Sequence, residues 1–111
     1  MGAGKLDERV TFDMPTQFPD GLGGTEEGWS EQFTVWAGFK YLRGTETVMA
    51  ARLTGRQPVV VTIRQSDAAR LVTTDWRMRD ARRGTVYNVR GVTPTDDRAY
   101  LEILCESGVA T

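Results

Sequence analysis

The residues of this 111-residue chain that could do chemistry are carboxylates, arginines and a single thiol, because the sequence contains no histidine. Histidine is the usual general base near neutral pH and the commonest metal ligand in proteins. Its absence excludes Ser-His-Asp and Cys-His catalytic sites and the usual zinc sites. Catalysis would have to depend on carboxylates alone, so such a hydrolase stays only as a minor alternative, and we predict no catalytic residue.

The remaining metal and redox candidates are weak. Asp96 and Asp97 are adjacent acids in a Pro-Thr-Asp-Asp turn, where they cannot converge on one ion without further ligands. Cys105 stands alone in an apolar run, so it cannot form an internal disulfide and is expected to be a small core residue in a reducing compartment. We therefore predict neither a metal nor a cofactor.

The formal net charge is −1, but the charges are unevenly distributed. Residues 1–50 carry four basic groups and eight acids, whereas residues 51–90 carry nine arginines and three acids. This pattern fits a mixed solvated surface, or a bipolar surface that orients an assembly or faces nucleic acid. Arginine suits bidentate contacts with carboxylate or phosphate groups better than lysine does.

Strand patterns dominate the chain. A hydrophobic content of 40% and a charged content of 26% are ordinary for a globular protein, and the sequence predicts one domain over residues 1–111, without a spanning helix or a signal peptide. Six segments have strand patterns, mostly from alternation of apolar and polar residues and in Gln57–Gln65 from β-branched residues: Arg9–Asp13, Trp29–Leu42, Gln57–Gln65, Thr73–Asp80, Thr85–Val92 and Arg98–Glu106. The last three are spaced as consecutive hairpins, and Gly38 is a candidate bulge or bend. The predicted fold is mainly β, a small antiparallel barrel or sandwich.

One short helix is predicted from Gly44 to Gly55, with Thr45 as its N-cap and Gly55 as its end. A helix of this length is marginal alone, so we expect it to dock on the sheet.

A long glycine- and acid-rich segment from Met14 to Gly28 lies between the first two strand patterns. It has neither helix nor strand periodicity, and loops of this length are usually functional or disordered. We therefore predict a long loop after the first strand and expect function there.

Tryptophans and arginines supply further candidates for contacts. Trp76 has the parity of a core residue, whereas Trp36 lies opposite the main apolar face, either under the helix or at a subunit contact. Four arginines lie on or just beyond one strand face. They form either a solvated strand edge or an interface that pairs with acids of a neighbouring subunit, such as Glu26, Glu27 or Glu31. With Trp36, the predicted interface residues are Arg77, Arg79, Arg82 and Arg83.

Local sequences along almost the whole chain together resemble the phage head–tail joining proteins, also called head closure or stopper proteins, of long-tailed phages and gene transfer agents. No single motif is specific, and the resemblance lies in the order and spacing of the set. Its members are Ala3–Leu6, Arg9–Phe12, Asp20–Gly24 leading to Trp29, Val35–Ala37, Leu42–Glu46, Val61–Arg64, Tyr87–Val89, Gly91–Val92, Asp97–Arg98 and Leu104–Glu106.

The resemblance implies a small β-barrel that assembles as a homo-oligomeric ring, a hexamer or dodecamer, in the virion neck after synthesis in the bacterial cytoplasm. The implied partners are the portal or adaptor ring on the head side, the tail terminator ring on the tail side, and double-stranded DNA that passes without sequence specificity; no membrane is involved. The loop would reach inward or toward a neighbouring ring, and its predicted contact residues are Phe18, Asp20, Gly21, Gly23, Gly24, Glu26 and Glu27.

The acidity of this loop argues against direct attraction to DNA, since phosphate contacts depend on basic groups. It could let DNA slide through the channel, or it could dock on a basic patch of the adaptor ring. The alternatives to a head closure protein are another neck or tail component, such as a tail terminator or adaptor, and a small β-barrel that binds nucleic acid through aromatic platforms.

Overall fold

The computed structural model describes residues 6–42, 46–53, 55–96 and 98–108. Within them lie six strands, one α-helix and a short 3₁₀ turn, Ala69–Leu71. The elements in chain order are β1 (Glu8–Pro19), β2 (Thr25–Tyr41), α1 (Glu46–Leu53), β3 (Gln57–Arg64), β4 (Arg77–Asp80), β5 (Val86–Pro94) and β6 (Tyr100–Ser107).

The strands form one closed barrel in the order β1-β2-β3-β6-β5-β4, and β4 pairs back onto β1. Every neighbouring pair is antiparallel. The last three strands follow one another as hairpins, as their spacing predicted. The predicted mainly β fold of six antiparallel strands is therefore confirmed, and the sheet closes as a barrel rather than splitting into a sandwich.

The core fills the inside of this barrel with the apolar parity of each strand. In β6, Leu101, Ile103 and Cys105 are buried, while Glu102 points outward. In β1, Val10 and Phe12 are fully buried, and the Phe12 ring stacks on Phe33 of β2. Burying side chains of this size is worth about 1.5–3 kcal/mol each. The barrel therefore has a complete core of its own.

The segment predicted as a long loop, Met14–Gly28, is instead mostly strand. β1 and β2 pair continuously from Asp13↔Glu31 to Pro19↔Thr25, which leaves only residues 20–24 as a turn. The prediction was wrong because neither face of this hairpin is buried, so no apolar alternation marks it. Pro15 and Pro19 also resemble strand breakers, although proline is tolerated where its nitrogen faces a free edge.

Two further expectations need correction. The register irregularities lie between Phe12 and Asp13 and between Val89 and Gly91, not at Gly38. Gly38 marks the point where β2 changes its partner from β1 to β3. β4 begins only at Arg77, because the segment before it turns, with the Trp76 amide donating to the Thr73 carbonyl at 3.1 Å. Trp76 is buried all the same, as its parity predicted.

Helix α1 connects β2 to β3 and lies beside β3. Gly55 follows its end with φ +82°, and its amide donates to the Arg52 carbonyl at 3.0 Å, as expected of a terminating glycine. The apolar side chains of Met49 and Leu53 are exposed rather than packed on the sheet. The predicted N-cap, Thr45, lies outside the described residues.

Candidate functional site

The most prominent feature outside the barrel is a two-stranded extension of β1 and β2, residues 14–30, which we call the ribbon. Here each strand has only the other as partner, since β4 pairs with β1 only as far as Asp13 and β3 pairs with β2 only from Gly38 onward. Six residues of strand beyond the barrel correspond to about 20 Å. The molecule is accordingly elongated, 51 × 35 × 24 Å, with a radius of gyration of 15.0 Å. A compact chain of this length would have about 13 Å.

A glycine turn closes the tip of the ribbon. The Asp20 carboxylate accepts hydrogen bonds from the Leu22 amide at 2.7 Å and the Gly24 amide at 3.1 Å. Gly21 and Gly23 have φ of +81° and +87°, which non-glycine residues rarely adopt. Three of the predicted contact residues, Asp20, Gly21 and Gly23, therefore shape the turn, whatever else they contact.

Exposed apolar side chains also lie on the ribbon. Leu22 at the tip is 91% exposed, and Phe18 is 44% exposed, with its ring lying over Gly28. A Cβ at Gly28 would lie 2.8 Å from that ring, so the glycine makes room for it. Sequence reasoning missed Leu22, although an apolar residue between the glycines of a turn was an available signal.

The charge of the ribbon has one sign. Asp20, Glu26 and Glu27 are exposed, and no basic residue occurs from Met14 to Gly28. Within the described parts of the chain none of these three carboxylates takes part in an ion pair. The ribbon is therefore an uncompensated negative surface with an apolar tip.

Where the ribbon leaves the barrel, the buried carboxylate of Asp13 binds two arginines. Arg79 donates to it through Nε at 2.7 Å and Nη2 at 3.0 Å, and Arg77 donates through Nε at 2.7 Å. Burial alone would raise the pKa of the Asp13 carboxyl, but the hydrogen bonds from Arg79 and Arg77 outweigh it, so the pKa lies below its ordinary value. Arg79 also contacts Glu31 at 2.9 Å, and the Arg77 guanidinium lies 4.7 Å from the centre of the Trp29 ring.

A second buried carboxylate, Asp80, binds the turn after β4. It accepts the backbone amides of Arg82 at 2.9 Å and Arg83 at 3.1 Å, and the Arg83 guanidinium at 2.7 Å. Burial raises the pKa of the Asp80 carboxyl, yet these hydrogen bonds lower it further than burial raises it. Arg83 also binds Glu8 at 3.0 Å. Arg83 is thus paired within its own chain.

A surface cleft of about 590 Å³ lies at the opposite end of the β1–β2 pair from the ribbon, and we call it the Trp36 cleft. Trp36 is 50% exposed there, with the guanidinium groups of Arg9 and Arg82 at 4.7 and 5.7 Å from its ring centre. Arg64 lies 5.7 Å from the centre of the Tyr100 ring. The lining residues are Leu6, Asp7, Trp36, Arg64, Arg82 and Tyr100.

The predicted interface residues thus separate into two groups. Arg77, Arg79 and Arg83 bind acids of their own chain, whereas Trp36 and Arg82 meet in the cleft. Glu31, expected to pair with a neighbouring subunit, instead pairs with Arg79 of the same chain. Trp36 lies in the exposed cleft rather than under the helix. Sequence reasoning missed Asp13, because an acid on the outward parity of a strand gives no sign of burial.

The described residues contain no group of three histidine, cysteine or carboxylate side chains that could hold a metal ion, and Asp97 lies outside them. Cys105 is fully buried, and burial raises the pKa of its thiol to about 12. In the portion of the chain that the structure describes, no helix has the length and apolar character needed to cross a membrane.

Comparisons with known proteins agree with this architecture. Protein SF1141 from Shigella flexneri 2a, known from its solution structure, is 25% identical over 100% of both chains, with a TM-score of 0.72. A chain from the virion of a native gene transfer agent particle has the same fold, with a TM-score of 0.64, 21% identity, and coverage of 96% of this chain and 98% of that one. No curated protein matches the sequence. Residues 1–108 match the family described as phage head completion protein. The chain therefore belongs to the phage head completion protein family and is a structural component of the virion neck.

Proposed function

We propose that the protein is a head closure, or stopper, subunit that forms a ring between the portal or adaptor and the tail. In this role it has no catalytic activity. The ring surrounds the path of the DNA, helps to retain packaged DNA, and provides the surface to which the tail attaches. One observation carries the proposal: a ribbon about 20 Å long extends from a barrel whose core is already complete. Beyond its base, where Trp29 lies against Arg77, the ribbon pairs with no other strand of the described residues, so its use is to contact other subunits.

The charge of the ribbon supports contact with protein rather than DNA. Glu26, Glu27 and Asp20 repel phosphate groups, and affinity for DNA depends on basic groups that displace its counterions. The exposed Leu22 at the tip supplies apolar surface, and burial of such surface is the main favourable term in protein association. A channel surface that carries these acidic groups would let DNA pass without binding it.

A truncated ribbon tests this proposal. Thr16 pairs with Gly28, so replacing residues 17–27 by Asn-Gly closes the shortened hairpin with a two-residue turn. We expect the circular dichroism spectrum to remain β-type, because the barrel core is untouched, and we expect particles that leak DNA or fail to join tails. Leu22→Ser should give a milder form of the same defect, whereas Leu104→Ser, an exposed apolar residue of the barrel, should not.

The outcomes separate the parts of the proposal. Truncated particles with full DNA retention and tail attachment would remove the ribbon from the mechanism. Mature virions that lack this chain at the neck would contradict the connector function as a whole.

A small nucleic-acid-binding barrel is the second candidate, and the Trp36 cleft favours it because arginines and aromatic rings meet there. Tight, salt-sensitive binding of oligonucleotides by the isolated chain, lost in Arg9→Glu, would support it. The guanidinium of Arg9 already lies over the Trp36 ring, however, so this ring is not a free platform for stacking bases.

A further inference from the structure

We propose that the acidic ribbon of one copy docks in the Trp36 cleft of the next copy, and that this is the contact that links subunits head to tail. The proposal rests on the ring proposed above and names the two surfaces that meet in it.

The positions of the two surfaces exclude a contact within one chain. The ribbon tip begins at Thr25 and the cleft lies at Trp36 of the same strand, eleven residues apart. Eleven residues of strand span about 36 Å. The ribbon points away from its own cleft and cannot fold back onto it, so a ribbon that docks in this cleft must come from another copy. A contact between two different surfaces of identical subunits closes into a ring when the rotation between copies allows it.

The basic groups at the cleft complement the acidic groups of the ribbon. The ion pairs within the chain show which arginines are available to bind another copy. Arg77, Arg79 and Arg83 already bind Asp13 or Asp80 at 2.7 Å. In the described parts of the chain Arg9 and Arg64 form no ion pair.

The third arginine at the cleft, Arg82, has only Glu8 at 3.9 Å. Arg64 and Arg82 line the cleft together with one acid, Asp7, and Arg9 lies against the Trp36 ring, while the ribbon carries three acids that form no ion pair within the described residues. Arginines with little or no ion pairing and unpaired acids thus lie on the two surfaces that we propose to meet.

Size and polarity also match. The cleft volume of about 590 Å³ is that of a site for a few side chains, not for a whole strand pair. The side chains of the ribbon tip, with Leu22 91% exposed beside the acids, suit such a cleft. Leu22 would contact the part of the Trp36 side chain that Arg9 and Arg82 leave exposed, and Glu26 and Glu27 would face the arginines at the rim of the cleft. Exposed ion pairs add little affinity but set the register of the contact.

A disulfide trap tests the contact directly. Cys105 is fully buried and does not compete for disulfide formation. Cysteines introduced at Glu27 and Arg64 are therefore the two accessible thiols of each chain, and a disulfide between them would link two copies. We expect oxidation of neck-containing particles carrying Glu27→Cys/Arg64→Cys to give a ladder of covalent multimers on non-reducing gels. The matched control, Glu27→Cys/Thr93→Cys, places the second cysteine on the exposed face of β5 and should give none.

Charge exchange tests whether the contact matters for assembly. Glu26→Lys/Glu27→Lys and Arg9→Glu/Arg64→Glu should each lower the yield of tailed, DNA-filled particles at least about tenfold, because like charges then face each other. The variant that combines all four substitutions restores opposite charges across the contact and should recover most of the lost particle yield. If the double variants lost particle yield because they misfold, two further substitutions would not restore that yield, so rescue would distinguish charge repulsion from misfolding.

Each outcome decides the proposal. A trapped ladder together with rescue supports docking of ribbon on cleft. Absence of the Glu27–Arg64 cross-link in tailed particles that contain the chain overturns the docking while leaving the neck function intact. Cleft variants that lose only oligonucleotide binding, with normal cross-linking elsewhere, would assign the cleft to nucleic acid and overturn the proposal. Absence of the chain from the neck would instead refute the proposed function.

Discussion

Replacing the buried carboxylate at the root of the ribbon, Asp13→Asn, should destabilise the whole protein. Asp13 is 1% exposed and accepts three charge-assisted hydrogen bonds, two from Arg79 and one from Arg77. It lies in the middle of β1, between strands β2 and β4, so its contacts tie together three strands. Asparagine keeps the shape of the side chain but removes the charge and offers only one acceptor oxygen.

The size of the loss in the free energy of unfolding depends on how much hydration the two arginines regain when Asp13 is replaced. Breaking a fully buried ion pair by removing one partner costs about 3–5 kcal/mol. The side chains of Arg77 and Arg79 are 22% and 35% exposed, and Arg79 keeps Glu31, so both regain part of their solvation. We therefore expect the free energy of unfolding to fall by about 2–3 kcal/mol. The corresponding drop in melting temperature is roughly 10–20 °C for a chain of this size.

Urea unfolding followed by tryptophan fluorescence measures this loss. The midpoint should move with an unchanged m-value, which indicates a change of stability rather than of the surface exposed. The control is Glu31→Gln, which removes only the exposed partner of Arg79 and should cost about 0.5 kcal/mol. If Asp13→Asn unfolds within 1 kcal/mol of the wild type, the carboxylate does not hold the strands together as argued.

The same carboxylate predicts a pH dependence. The pKa of the Asp13 carboxyl is lowered in the folded state from the ordinary value of 3.8, so the unfolded chain binds the proton more readily than the folded one. Its contribution is thus complete above the unfolded pKa and is lost as the pH falls through the lower folded pKa. Asp80 contributes in the same direction. Asp13→Asn should therefore flatten the acid limb of the stability curve, and an equally steep limb in the variant would contradict the assignment.

Three further outcomes follow from local geometry. Gly28→Ala should displace the Phe18 ring and raise amide hydrogen exchange in the ribbon but not in the barrel, since the added Cβ would lie 2.8 Å from that ring. Gly108→Ala should cost at least about 2 kcal/mol in urea unfolding, because its φ is +83° and a Cβ would collide with the Gly55 carbonyl; a change below 0.5 kcal/mol would refute this. The Cys105 thiol, with its pKa raised to about 12, should resist a disulfide reagent at pH 8 until the protein is unfolded, so rapid reaction of the native chain would contradict its burial.

Much of the barrel could be predicted because the packing of one face of each strand in the core produces the alternation of apolar and polar residues in the sequence. A half-buried strand must place apolar side chains at every second position, and Leu101, Ile103 and Cys105 do so. The family resemblance came from the order of short sequences along the chain, which the match over residues 1–108 confirms. The lack of histidine likewise excludes histidine-dependent catalytic sites on composition alone.

The ribbon could not be predicted by the same logic. Its strands are exposed on both faces, so nothing in their side-chain pattern distinguishes them from a loop, and only the backbone ladder from Asp13↔Glu31 to Pro19↔Thr25 defines them. Asp20 and the glycines beside it form the turn, but how far the strands continue on either side of this turn is decided by pairing between chain segments.

The sequence by itself determined a mainly β protein with an apolar parity in each barrel strand, an acidic segment without a basic residue, and a cluster of arginines after residue 76. Only the tertiary structure decided which of those arginines are already neutralised. Pairing of Asp13 with Arg77 and Arg79 brings together residues more than sixty positions apart, through strand register. Charge along a chain is a property of composition, but the charge that a surface offers to a partner depends on which opposite charges the fold places within hydrogen-bonding distance.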